Sequence, residues 1–136
     1  DLDNVSELDG VAGALPALMR AEKLQKRAAR VGFDWSDATG ALAKLHEELD
    51  EVQAEIDNQD QSRLQDELGD LLFTVVNVVR MFGLSAEQTL SQSNEKFERR
   101  FRLMEQDLRA SGKQDLHQLS MQAWDEAWEA VKSRFG

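Results

Sequence analysis

Five carboxylates in two short runs are the residues of this chain best placed to do chemistry: Glu47, Glu48 and Glu51, then Glu67 and Asp70. The pattern is E-E-x-x-E, fifteen residues, then E-x-x-D. Glu51 with Glu67, and Glu48 with Asp70, are each centred on residue 59. If the chain reverses there, two antiparallel helices bring four carboxylates to the same two levels. Clustered like charges are unfavourable without a cation between them. The spacing therefore predicts a hard metal ion and work on a charged substrate. With no histidine or thiolate at ligand spacing, the oxygen donors favour Mg²⁺, Mn²⁺ or Ca²⁺.

The elements that must position these acids read as helices throughout. There is one proline, Pro16, and no strand-like alternation. Pro16 suits the first turn of a helix running from about Leu15 to Arg30, which Gly32 ends. Phe33, Asp34 and Trp35 form a loop, and Ser36 is the expected N-cap of the second helix. There Leu45, Leu49, Val52 and Ile56 recur as a core-facing stripe. The polar run Asn58 to Gln61 is the turn. A third helix has Leu64, Leu68, Leu71, Leu72, Val75, Val76 and Val79 facing inward, and stops at Gly83. Ser85 and Gln88 read as a capping box opening a fourth helix that ends before Gly112. A polar connection leads to a last helix with Trp124, Trp128 and Val131.

At ~100° per residue the acids flank these apolar stripes. Glu48 lies beside the stripe of its helix, Glu51 a little further round, and Glu47 points away. Glu67 borders the third helix's apolar face, with Asp70, Thr74 and Asn77 on the same side. Glu51 and Glu67 each sit about eight residues from the turn centre, roughly 12 Å along a helix. The chain has 26 acidic residues in 136, so a loose version of the pattern arises easily by composition. A solvated acidic face is the plain alternative. Symmetry about a turn and placement beside both stripes favour a site. A di-iron bundle would need Glu-x-x-His on two helices, and His46 and His117 are not so placed.

Composition bounds the function. Formal net charge is -10, which argues against nucleic acid as a partner while leaving room for a small polyanion held through metal. The absence of cysteine excludes disulfides and thiolate metal sites and is compatible with a reducing compartment. No apolar run approaches the ~18 residues of a membrane span. The stretch 1–13 is polar and small, and is expected to be a mobile segment preceding a single domain over 14–136. In the fourth helix Lys96 and Arg100 share a face beside Phe97 and Phe101, as a phosphate grip or as a solvated face paired with Glu98 and Glu105. Trp128 and Lys132 also share a face, where the ring is either core or a platform for a base. Phe33 and Trp35 could equally stack a base.

Several runs together resemble a known family. KLQKRAARVGFDW (23–35), EELDE (47–51) with ELGDLLF (67–73), and NEKFERRF (94–101) are similar to MazG nucleoside triphosphate pyrophosphohydrolases, in particular the C-terminal catalytic domain of the two-domain bacterial form. The resemblance implies an all-α helical bundle of the NTP pyrophosphatase type, with the acids on a central antiparallel hairpin. It implies a cytoplasmic homodimer that splits NTP to NMP and pyrophosphate with Mg²⁺, or Mn²⁺ in its place. It places the metal on Glu48, Glu51, Glu67 and Asp70. Substrate is expected at Lys96, Arg100, Trp128 and Lys132, and near the nucleotide at Lys44, Glu47 and Arg63. Glu47, pointing away from the ligands, suits a general base, unless a second metal does that work. Two rivals are a non-catalytic helical module that binds nucleotide or a partner subunit, and a dUTP- or dCTP-selective enzyme of the same fold.

Overall fold

The computed structural model describes residues 5–113 and 115–135, with the side chain of Phe135 left aside. Among them are five α-helices and no strand: α1 (Ala17–Arg30), α2 (Ala38–Asn58), α3 (Gln61–Met81), α4 (Ala86–Ala110) and α5 (Met121–Phe135). The all-α expectation holds. The chain divides into two compact units, Asp1–Thr89 and Leu90–Gly136.

Local chemistry sets the helix ends of the first unit. Gly32, at φ +95, closes α1 by a two-bond motif: its N–H donates to Ala29 O, and that of Phe33 to Ala28 O. Only a glycine takes that backbone angle without strain. Gly83 closes α3 in the same way. Asp37, rather than Ser36, caps α2: its carboxylate accepts from Thr39 N at 2.9 Å and Gly40 N at 3.4 Å. A carboxylate there also meets the positive end of the helix dipole. The turn falls where the symmetry requires. Gln59 is left-handed at φ 58, and Asp60 caps α3 through Arg63 N at 3.1 Å.

α2 and α3 pack as an antiparallel hairpin, with α1 against α3. The buried positions of the hairpin are Ala41, Glu48 and Val52 on α2, and Thr74 and Val76 on α3. The apolar stripes expected to face inward do so only in part. Leu49, Ile56, Leu68 and Leu72 are 46%, 50%, 40% and 61% exposed. On α2 the buried direction is rotated by roughly 60° from the stripe, toward Glu48. The acids thus occupy the seam between the helices, and a second apolar face is left uncovered. The stretch expected to be mobile falls partly on residues 1–4, which lie outside the described residues. Beyond them, Arg27 donates to the carbonyls of Glu7 at 3.2 Å and Asp9 at 2.6 Å.

In the second unit Met104, Leu108 and Val131 form the core, and Phe101, Trp124 and Trp128 pack against it. Phe101 and Trp124 stack at 6.0 Å between ring centres. The expected polar connection contains a 3-10 turn, Leu116–Gln118, capped by Asp115, and Leu116 packs onto this core. No single helix among the described residues is long and apolar enough to cross a membrane.

Candidate metal centre

The seam of the α2–α3 hairpin brings Glu48, Glu67 and Asp70 together, with one oxygen from each within 4.8 Å of the others. Glu48 and Asp70 are level across the turn, and Glu67 lies one helical turn before Asp70. Glu48 is 4% exposed. Burying a carboxylate this far is costly unless its oxygens find partners. Lys44 satisfies Glu48 Oε1 at 3.1 Å, and reaches Glu47 at 3.5 Å. Glu48 Oε2 and Glu67 Oε2 have neither solvent nor a hydrogen-bond partner among the described residues. Orphaned, inward-facing carboxylate oxygens in an all-oxygen set fit a hard divalent cation.

The electrostatics carry the same strain. The hydrogen bond that protonated Glu67 gives to Glu51, desolvation, and the charges of Glu51, Glu48 and Asp70 push Glu67 up to about 7. Glu51, the fourth expected ligand, stands beside Glu67 but outside the group of three, and a proton on Glu67 eases the repulsion between them. A cation replacing that proton would relieve the repulsion. The bond to Glu48, with the nearby Glu47 charge, raises the Lys44 ammonium above its ordinary value. Thr74, also buried, donates its hydroxyl to Asp70 O at 2.9 Å and fills the seam one turn beyond the cluster. Glu47 is exposed, clear of the buried oxygens. Arg63 is exposed at the hairpin end and pairs with Asp60 at 3.7 Å.

The residues of the second unit take the following places. Glu98 and Glu105 pair with Arg102 and Arg109, not with Lys96 or Arg100. Arg100 stacks over the Trp128 ring at 6.0 Å, and Phe97 meets the same ring at 5.6 Å. Arg100 Nε is buried without a partner. Lys132 pairs with Glu129 at 3.3 Å. His46 and His117 are exposed, away from any ligand set.

Comparison with known proteins gives the same likeness. Residues 37–102 match the MazG nucleotide pyrophosphohydrolase domain. The central half of the chain is thus similar to a MazG domain. It is 46% identical over 129 residues to a nucleoside triphosphate pyrophosphohydrolase of Escherichia coli K12, covering 93% of this chain and 49% of that protein. It is 36% identical over 127 residues to the Thermotoga maritima nucleoside triphosphate pyrophosphohydrolase/pyrophosphatase MazG, covering 93% and 48%. A Bacillus subtilis protein, uncharacterized protein YabN, is 40% identical over 133 residues, which is 27% of its length. The chain thus spans about half the length of the first two relatives. The MazG match contains the whole acidic cluster together with Lys96 and Arg100, and stops short of Trp128.

Sequence reasoning found the acids of the cluster but not every buried polar group of the first unit. Glu55, one turn beyond Glu51, has an oxygen as orphaned as those of Glu48 and Glu67. Its place on the Glu48 side of the helical wheel was the available signal. The Asp34–Arg80 pair, at 2.6 Å, joins residues 46 positions apart, and no local pattern announces it.

Proposed function

We propose that this chain hydrolyses nucleoside triphosphates to nucleoside monophosphate and pyrophosphate, with Mg²⁺ as the working ion and Mn²⁺ as a substitute. The observation that carries this reading is the Glu48, Glu67 and Asp70 cluster with its orphaned oxygens, set within the stretch similar to a MazG domain. The E. coli and T. maritima relatives are named for the same activity.

Glu48, Glu51, Glu67 and Asp70 would hold the ion. Bound there, it would neutralise charge on the phosphate oxygens and on the leaving pyrophosphate. Glu47, exposed and level with the cluster, takes the proton of the attacking water as general base. The water oxygen bonds to the α-phosphorus, the bond from that phosphorus to the bridging oxygen breaks, and pyrophosphate leaves with the electron pair. Lys44, paired with Glu48, would offer a cation to substrate phosphate beside a bound ion. Arg63 offers a further cation at the hairpin end. Lys96 and Arg100, with no acidic partner among the described residues, are phosphate-binding residues, and Trp128 and Lys132 are further substrate contacts. All common bases are accepted. The working form is a cytoplasmic homodimer that does not bind nucleic acid, and the uncovered face of Leu49, Ile56, Leu68 and Leu72 supports the pairing.

The test is product analysis. Incubation with each NTP and Mg²⁺ should yield NMP and pyrophosphate in equal amounts. Orthophosphate with NDP as the product, or no product at all, would sink the reading.

A further inference from the structure

A cavity of about 500 Å³ opens in the first unit, beside α3 and away from the acids. Its walls include Phe33, Asp34 and Trp35 from the loop after α1, and Phe73, Asn77 and Arg80 from α3. The volume is that of a small-molecule site. Its position follows from helix geometry. Asn77 lies seven residues after Asp70, which is about 10 Å along α3 and within ~20° of the same face. One side of α3 therefore carries the acidic cluster at one level and the cavity wall two turns on. A ribose and one phosphate span such a gap.

The polar wall has a fixed hydrogen-bond polarity. Arg80 donates to Gln25 Oε1 at 3.3 Å, to both oxygens of Asp34 at 3.1 and 2.6 Å, and to Asn77 Oδ1 at 2.8 Å. A guanidinium only donates, so the Asn77 atom facing it is the oxygen. That orients the amide and leaves its NH₂ group without an acceptor among the described residues. Gln25, itself buried, gives an amide hydrogen to Phe73 O at 3.0 Å. Asp34 Oδ1 also takes Trp35 N at 2.9 Å. The oxygens of this network are taken up by the Arg80 guanidinium and the Trp35 N–H, while Asn77, on the cavity wall, keeps amide hydrogens with no acceptor among the described residues. Around them stand open aromatic faces: Phe33 is 80% exposed, Phe73 43% and Trp35 39%.

We infer that this cavity receives the nucleobase, and that Asn77 sets a preference among bases. The inference rests on the nucleotide-cleaving reading of the acidic cluster. Phe33 and Trp35 stack the ring. The Asn77 NH₂ donates to a carbonyl, which guanine and uracil or thymine present where adenine and cytosine carry an amino group. A donor facing an amino group is left unpaired, and that asymmetry produces selectivity.

The experiment measures kcat/KM for GTP, UTP, ATP and CTP with Mg²⁺. The carbonyl-bearing pair should lead by about three- to tenfold, the worth of one neutral hydrogen bond. Asn77→Asp keeps the oxygen that Arg80 needs and replaces the donor by an acceptor, so it should reverse the order. Phe33→Ala, at a position too exposed to hold the fold together, should raise KM about fivefold or more for every base, as loss of stacking does. Pyrophosphate release with base ratios that Asn77→Asp leaves unmoved, and a KM that Phe33→Ala leaves unmoved, overturns this inference alone. So do base ratios that shift with Trp128→Ala instead. Absence of pyrophosphate from every NTP overturns the underlying reading, and this one with it.

Discussion

Glu48 is the residue on which most depends, because it is the most buried member of an anionic cluster. Altering groups that merely orient a metal ligand costs 10–100-fold, so removing a ligand should cost more. Glu48→Gln and Asp70→Asn should each lower Mg²⁺-dependent pyrophosphate release by at least about 100-fold, with helicity by circular dichroism unchanged. Glu67 makes a pH prediction. Its folded value, about 7, lies above the ordinary 4.5. A raised carboxyl contributes stability below its unfolded value and loses it as the pH climbs through the folded one. Melting temperature in EDTA should therefore fall between about pH 5 and 8, and Glu67→Gln should flatten the decline. Mg²⁺ binding near neutral pH should release protons, countable by calorimetry in two buffers of different ionisation enthalpy. A melting curve that is flat with pH in the wild-type protein would contradict the raised value of Glu67.

At the scale of elements, one arginine ties α3 to the loop after α1. Arg80 is only 11% exposed as a side chain and serves Asp34, Asn77 and Gln25 together. Arg80→Ala should cost about 1–3 kcal/mol by leaving these groups unsatisfied, read by urea denaturation. The Arg80 hydrogen bond, first among its causes, holds Asp34 below its ordinary 3.8. A depressed carboxyl stabilises above its unfolded value and fails as the pH falls through the folded one. The tie should thus persist at neutral pH and open only in acid below about 3.8. The turn makes a prediction of opposite sign. Gln59 holds a left-handed backbone that costs an ordinary residue about 1–2 kcal/mol, against about 0.5–1 for the extra chain entropy of glycine. Gln59→Gly should therefore raise the melting temperature slightly. A drop would mean that the Gln59 side chain does something the backbone geometry does not reveal.

At the scale of the molecule, what the sequence disclosed divides along a physical line. Helix ends were legible because glycine acts within a turn of its own position, as at Gly32, Gly83 and Gly112. The acidic levels were legible because a hairpin converts spacing into height. Burial was not: a periodic stripe shows that a face is apolar, not what covers it. Leu49, Ile56, Leu68 and Leu72 keep the period of a core and lie in the open, while Glu48 takes the inner place. Sedimentation analysis should find a dimer, and Leu72→Glu should yield monomer. A wild-type monomer at micromolar concentration would refute the pairing. That uncovered face carries one more consequence. If two copies close over it, the helices holding the acids are braced by a contact whose population obeys mass action. Specific activity should then fall on dilution through the dissociation constant, and thermal stability should rise with protein concentration. The catalytic geometry of each chain would become a function of how many others are in the tube.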